Sequence, residues 1–149
     1  IGVAKERGGP RYEVLQPEYN LADRHDFEDG LADICMREEI GVITYFSLAK
    51  GFLSGKYRTE ADLSKSPRGG AVKGYLNPRG YRILDALDTV AARHKAKPAE
   101  VALAWIIMKP AVAAPISSAT SAEQVMSLIR ATELELTKDD MAALDEASA

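Results

Sequence analysis

Apolar residues recur along the chain with two different spacings, and the two kinds of segment alternate. Short runs of β-branched and other apolar residues predict strands near residues 12–16, 42–45 and 112–116. Longer stretches carry apolar residues three and four positions apart, which predicts helices at 1–8, 26–39, 79–95, 98–109, from 121 onward, and 138–147. Because helices separate the strands, we expect parallel pairing in a single α/β domain over residues 1–149.

Helix start signals sharpen several of these boundaries. Asn77 precedes Pro78, which is the usual order of an N-cap and a first helical residue. We also predict N-caps at Asp26, Ser121 and Thr137, with Gln124 completing a capping box with Ser121. Residues 52–77 carry glycines and basic residues and are predicted to be irregular. A loop of that length in a compact domain is usually functional or mobile.

The composition narrows the class of protein. The chain has 149 residues, 46% of them hydrophobic, and a formal net charge of −3, which argues against nucleic acid as a partner. No apolar run approaches the roughly 20 residues of a membrane helix. Cys35 stands alone and is predicted to be a buried helix residue, so a disulfide framework is excluded and a cytoplasmic location is expected. His25, His94 and Asp139-Asp140 are predicted to be surface residues, and no metal site is expected.

Candidate chemistry lies where the predicted strands end, because ligands bind at the carboxyl edge of parallel sheets. Residues 117–121 lead into a helix whose first amide groups favour an anion, although Ser121 could be a helix cap and nothing more. Tyr45 could stack on a flat heterocycle or be an ordinary rim residue. Lys56 could pair with a phosphate or be simply solvated. Gln16 could bind a carboxamide or make a structural hydrogen bond at the strand end.

Four segments in order resemble the aldo-keto reductase superfamily, in the bacterial branch that is similar to potassium-channel β subunits. They are Gln16-Pro17-Glu18-Tyr19-Asn20-Leu21, then residues 45–57, 98–105 and 114–124. The resemblance implies the C-terminal half of a (β/α)8 TIM barrel, with parallel strands and outer helices and with the N-terminal half absent. It also implies an NADP(H)-dependent oxidoreductase that reduces a small-molecule carbonyl compound.

The resemblance further implies which residues bind the cofactor. Tyr45 would stack on the nicotinamide and Gln16 would hold its carboxamide, while Arg68 would reach the cofactor from the long loop. The expected cofactor-binding set is Gln16, Tyr45, Phe46, Ser47, Leu48, Ala49, Gly51, Lys56, Arg68, Ser118, Thr120 and Gln124. Ser118, Thr120 and Gln124 are not basic, so NADP(H) is expected from the family alone and NAD(H) stays open as the alternative.

The family's catalytic Asp, Tyr, Lys and His belong to the first four barrel strands, so no catalytic residue is assigned in this chain. We expect the chain to be inactive alone and to need the N-terminal half as its partner. Two alternatives stay open, a non-catalytic nucleotide-binding regulatory module and a self-associating half-barrel fragment.

Overall fold

The computed structural model describes residues 1–66 and 69–149. The α-helices are α1 (Gly2–Arg7), α2 (His25–Glu28), α3 (Leu31–Arg37), α4 (Pro78–His94), α5 (Pro98–Ile107), α6 (Ala122–Glu133) and α7 (Lys138–Ala147). The strands are β1 (Val14–Leu15), β2 (Gly41–Thr44) and β3 (Val112–Pro115). The described residues between β2 and α4 also form 3₁₀ helices, at Ala49–Ser54, Glu60–Lys65 and Gly69–Tyr75.

The three strands form one parallel sheet in the order β1-β2-β3. Leu15 lies opposite Val42, and Val42 lies opposite Val112. Each strand therefore pairs with the next one in the sequence, and the connections are helical. The predicted parallel α/β architecture is confirmed.

The core forms where α4 and α5 pack on each other and on the loop after β2. The apolar stripe of α4, with Ile83, Leu84, Leu87 and Val90, is buried as its spacing predicts. Helix α5 is buried on nearly all sides, and Trp105 at its centre is fully enclosed. The burial of these large side chains is the main favourable contribution to the stability of the domain.

The first strand is shorter than predicted. The ladder between β1 and β2 covers only Val14 and Leu15, and pairing returns as a single bridge between Glu18 and Tyr45. Pro17 lies between them and has no N–H to donate, which explains the interruption. Its carbonyl still accepts a hydrogen bond from Tyr45 N at 3.0 Å.

The predicted helix at 26–39 is two helices. Asp29 and Gly30 separate α2 from α3, and Gly30 adopts a left-handed φ of 117° that an α-helix cannot contain. The predicted cap at Asp26 is wrong, since α2 begins at His25 with Arg24 before it. Cys35 is buried as expected.

The caps at Asn77, Ser121 and Thr137 are confirmed, because each side chain accepts a hydrogen bond from a backbone N–H of its helix. In the capping box predicted between Ser121 and Gln124, the Gln124 side chain binds a different backbone N–H from the expected one. Gln124 Oε1 accepts from Thr120 N at 2.7 Å, one residue earlier than the box requires. Residues 52–77 are also more ordered than predicted, since their described part contains the second half of the first 3₁₀ helix and all of the other two.

Two predicted surface residues, His94 and Asp140, contact each other. His94 Nε2 lies 2.8 Å from Asp140 Oδ2, and the Asp140 side chain is only 2% exposed. The solvated position predicted for Asp140 is therefore wrong, whereas Asp139 and His25 are exposed. Within residues 1–66 and 69–149, no helix combines the length and the apolar character needed to cross a bilayer. The same residues contain no cluster of three or more His, Cys, Asp or Glu suited to a metal ion.

Candidate functional site

The loops that follow the three strands are joined by hydrogen bonds at the carboxyl edge of the sheet. Tyr45 holds the β2 loop to the β1 loop through its bridge with Glu18. Ile116 N donates to Thr44 O at 2.7 Å, and Ser47 Oγ lies 3.0 Å from Ile116 O. The structure therefore brings the ends of all three strands to one edge of the sheet, where parallel α/β folds place ligands.

Two aromatic rings lie exposed at this edge. Tyr45 is 38% exposed and Phe46 is 43% exposed, and their ring centroids are 5.3 Å apart at an interplanar angle of 66°. Phe46 has a φ of 50°, a left-handed conformation that is rare for a bulky residue. Two exposed aromatic rings, one of them on a residue with a left-handed backbone, offer flat apolar surface to a ligand at the end of β2.

Ser47 is committed to the loop itself. It is buried, and its hydroxyl lies within hydrogen-bond distance of Thr44 O, Thr44 Oγ1 and Ile116 O. One hydroxyl therefore joins the end of β2 to the end of β3. A ligand passing over this loop would meet backbone groups near Ser47 in preference to its side chain.

The β2 loop then turns sharply through three consecutive left-handed residues. The φ angles are 47° at Ala49, 58° at Lys50 and 103° at Gly51. Ala49 is fully buried, and a Cβ built on Gly51 would lie 3.8 Å from both Lys56 Cε and Tyr57 Cε2. The small side chains leave little bulk above the backbone at this turn. Lys56 is exposed beside Gly51, and its Nζ lies 5.0 Å from the centroid of the Tyr57 ring.

A polar cluster that sequence reasoning missed lies beside this turn. Lys50 Nζ is 3.9 Å from Glu18 Oε1, and Tyr75 donates its hydroxyl proton to Asp23 Oδ2 at 2.7 Å. Burial raises the pKa of Glu18, and the Asp23 carboxylate raises it further, while Lys50 opposes both. Burial and the hydrogen bond to Asp23 likewise raise the pKa of Tyr75. The sequence signal for Glu18 and Lys50 was their position in the loops that follow β1 and β2.

The third loop is a separate exposed cluster at the start of α6. Ser118, Thr120 and Gln124 are all exposed. Gln124 Oε1 accepts from both Thr120 N, at 2.7 Å, and Thr120 Oγ1, at 3.2 Å, while Gln124 N donates to Ser121 Oγ at 3.3 Å. These bonds hold the loop against the first turn of the helix, where the backbone amides and the helix dipole favour an anion.

The remaining predicted site residues fall in different places. Gln16 is exposed and follows β1 directly, and Leu48 is half-buried in the β2 loop. Arg68 lies outside the described residues. The structure thus places Gln16, residues 45–51 and Lys56 around the β1 and β2 loops, and Ser118, Thr120 and Gln124 around the β3 loop.

The chain is similar to one family of known proteins over its whole length. The family model described as "Aldo/keto reductase family" matches residues 1–149. Protein tas of Escherichia coli is 30% identical over 147 residues, covering 97% of this chain and 42% of that protein. An uncharacterized oxidoreductase of Mycobacterium tuberculosis is 37% identical over 141 residues, covering 89% of this chain and 41% of its own length.

A plant protein and a solved structure are also similar to this chain. A probable voltage-gated potassium channel subunit beta of Arabidopsis thaliana is 31% identical over 128 residues, covering 81% of this chain and 38% of that protein. The crystal structure of a thermostable aldo-keto reductase superposes with a TM-score of 0.71 at 23% identity, covering 98% of this chain and 43% of that one. The chain therefore spans about two fifths of the length of the curated relatives it matches.

Proposed function

This chain belongs to the aldo/keto reductase family, and from that premise we propose that it supplies the cofactor-binding part of an NADP(H)-dependent oxidoreductase. In this proposal residues 1–149 form the C-terminal half of a (β/α)8 barrel, and an N-terminal half outside this chain completes it. The reaction is the reduction of a small-molecule carbonyl compound to an alcohol in the cytoplasm, with NAD(H) as the alternative cofactor.

One observation carries the proposal, the convergence of three strand ends on an edge with two exposed rings and a turn of small residues. A dinucleotide needs a flat surface for its heterocycle and a close approach of the backbone to its pyrophosphate. Its remaining phosphate needs an environment that favours an anion, such as the N-terminus of a helix. Tyr45 and Phe46 provide the first, the half-buried turn at Gly51 provides the second, and the exposed start of α6 provides the third. The observed surface therefore fits the group that the family implies.

We assign the binding roles accordingly. Tyr45 would stack on the nicotinamide and Gln16 would hold its carboxamide. The pyrophosphate would follow Phe46, Ser47, Leu48, Ala49 and Gly51, with Lys56 nearby, and Ser118, Thr120 and Gln124 would contact the adenosine end. When bound, the cofactor supplies the hydride that reduces the carbonyl carbon, and these residues orient it and shield one of its faces from water.

The proton donor for the carbonyl oxygen is proposed to come from the missing half. Tyr75 is poorly suited to replace it, because its hydroxyl already donates to Asp23 and its raised pKa opposes release of the proton. We therefore expect the purified chain to show no NADPH-dependent reduction of an aromatic aldehyde. Measurable turnover by the chain alone, proportional to its concentration, would contradict this division of labour.

The binding role is tested by titrating NADPH and following its fluorescence. We expect saturable binding by the native chain and a loss of about tenfold in affinity for Tyr45→Ala, because stacking of a base on an aromatic ring contributes on the order of 1–3 kcal/mol. Tyr12→Ala is the matched control, since Tyr12 is an exposed tyrosine that precedes β1. Equal affinity in both variants would refute the role of Tyr45.

The potassium-channel β relative favours a second candidate, a regulatory module that binds the nucleotide without turnover. The two functions share the cofactor site and differ in the rest of the protein. Joining this chain to the N-terminal half of its parent and assaying aldehyde reduction separates them, because only the enzyme gains turnover.

A further inference from the structure

Lys50 occupies a backbone conformation that lysine rarely adopts. Its φ is 58°, between Ala49 at 47° and Gly51 at 103°. Non-glycine residues are uncommon in the left-handed region, and away from helix ends such positions cluster at functional sites. The contacts of the Lys50 side chain indicate what holds it there.

The Lys50 ammonium lies inside a small cage. Its Nζ is 3.9 Å from Glu18 Oε1, 5.1 Å from the centroid of the Phe46 ring and 5.9 Å from the centroid of the Tyr75 ring. The side chain is 31% exposed, so water screens these attractions only in part. A carboxylate combined with two ring faces is a chemically suitable environment for an ammonium group.

The three cage residues come from three separate parts of the chain. Glu18 belongs to the β1 loop, Phe46 to the β2 loop, and Tyr75 ends the third 3₁₀ helix. Tyr75 also stacks on Phe52, with ring centroids 5.2 Å apart. The one cation of Lys50 therefore joins the two loops of the candidate site to the end of the long segment before α4.

We infer that Lys50 is a positioning residue that holds Phe46 and residues 69–75 in place around the dinucleotide site. This inference deepens the proposed function and rests on it for its ligand. The strained turn keeps the Lys50 side chain in the cage, and the cage keeps the three segments in register before the ligand arrives. Pre-organisation of this kind lowers the ordering cost of binding.

The chain offers a matched control for this idea. Lys95, at the end of α4, is also a lysine in the left-handed region, with a φ of 53°, and it is exposed and far along the chain from the cage. Lys50→Gly and Lys95→Gly therefore remove the same charge and relieve a similar strain, because glycine tolerates this conformation. Only Lys50→Gly removes the cage cation.

The first measurement needs no ligand. We expect amide hydrogen exchange in residues 69–75 to be at least threefold faster in Lys50→Gly and in Glu18→Gln, and unchanged in Lys95→Gly and in Lys50→Arg. Glycine relieves the backbone strain at both positions, so both glycine variants should stay folded at the temperature of the exchange measurement. A faster exchange in residues 69–75 then reports a local change and not global unfolding. Unchanged protection in Lys50→Gly, or equal acceleration in Lys95→Gly, would overturn the inference.

The second measurement is NADPH affinity. A positioning role predicts about fivefold weaker binding for both Lys50→Gly and Glu18→Gln, with Lys95→Gly unchanged. If Lys50 instead bound a phosphate directly, Glu18→Gln would strengthen binding by freeing the cation, and that sign would overturn the positioning role. Failure of the native chain to bind NADPH would refute the proposed function, while the exchange result would still decide whether Lys50 holds the segment.

Discussion

At the scale of single residues, Asp140 organises the contact between the end of α4 and the start of α7. Its carboxylate lies 2.8 Å from both Arg93 Nη1 and His94 Nε2, and it accepts from Thr137 Oγ1 at 2.7 Å and from Thr137 N at 3.0 Å. Burial acts to raise the pKa of Asp140, but the hydrogen bonds from His94, Thr137 and Arg93 outweigh it and hold the pKa well below its usual range.

Replacing this carboxylate is expected to destabilise the fold. Asp140→Asn should lower the free energy of unfolding by roughly 2–3 kcal/mol at pH 7, because hydrogen bonds to a buried charge are lost and Arg93 loses its partner. Urea denaturation measures the change. Asp139→Asn, at the exposed neighbouring position, should change it by less than about 0.5 kcal/mol.

The stabilisation that Asp140 provides is expected to depend on pH. Because the pKa of Asp140 is lower in the folded than in the unfolded state, its stabilisation is present above the unfolded pKa of about 4 and is lost as the pH falls toward the folded value. The difference in stability between the native chain and Asp140→Asn should therefore narrow as the pH is lowered from 5 to 2. A difference that stays constant over this range would contradict the role of the ionised carboxylate.

At the scale of elements, the first turn of α4 shows tertiary packing overriding helix propensity. Gly80 lies inside this helix, where alanine is favoured by roughly 1 kcal/mol in isolation. A Cβ at Gly80 would lie only 1.8 Å from Tyr75 O and 3.0 Å from Phe52 Cζ. The glycine therefore lets the helix pack directly against the end of the long segment that precedes it.

Gly80→Ala is accordingly expected to destabilise the protein by about 2 kcal/mol or more, as overpacking against backbone does. Gly2→Ala is the control, because nothing lies within 4 Å of a Cβ at that helical position. It should leave the melting temperature unchanged or raise it. Thermal unfolding of both variants checks the prediction, and a stabilising effect of Gly80→Ala would refute the close approach.

At the scale of the whole molecule, the three-stranded sheet has an edge at β1 and an edge at β3, and apolar side chains lie exposed near both. Val14 is exposed on β1, and Ile116 is exposed just after β3. Val125, Met126 and Ile129 form an exposed apolar stripe on α6, the helix that follows β3. Sheet edges with neighbouring apolar surface promote association between chains.

The isolated chain should therefore associate as its concentration rises. We expect light scattering after size exclusion to give a mass above that of one chain, and Met126→Glu to shift it toward one chain while changing stability by less than about 0.5 kcal/mol. Tyr81→Glu places the same charge on an exposed aromatic position of α4 and should leave the mass unchanged. A sharp single-chain peak for the native protein at high concentration would contradict this expectation.

Local signals were enough to predict much of the architecture. The spacing of Ile83, Leu84 and Leu87 identified α4 and its buried face, and Asn77 marked its first turn, because periodicity and capping involve residues within four positions of each other. The alternation of strands and helices indicated parallel pairing, because a helix between two strands returns the chain to the end of the sheet where the first strand began. The ends of the three strands also located the candidate site, since parallel strands bring their carboxyl ends to one edge.

Other features depended on residues far apart in the sequence, and only the tertiary structure decided them. The burial of Asp140 depends on His94, the close packing of Gly80 depends on Phe52, and the cage around Lys50 depends on loops from three parts of the chain. Each depends on a neighbour that local patterns do not encode. The sequence by itself thus determined the order of the elements and the edge of the sheet where the strand ends converge. Tertiary packing determined which charged side chains are buried or caged and which residues contact them.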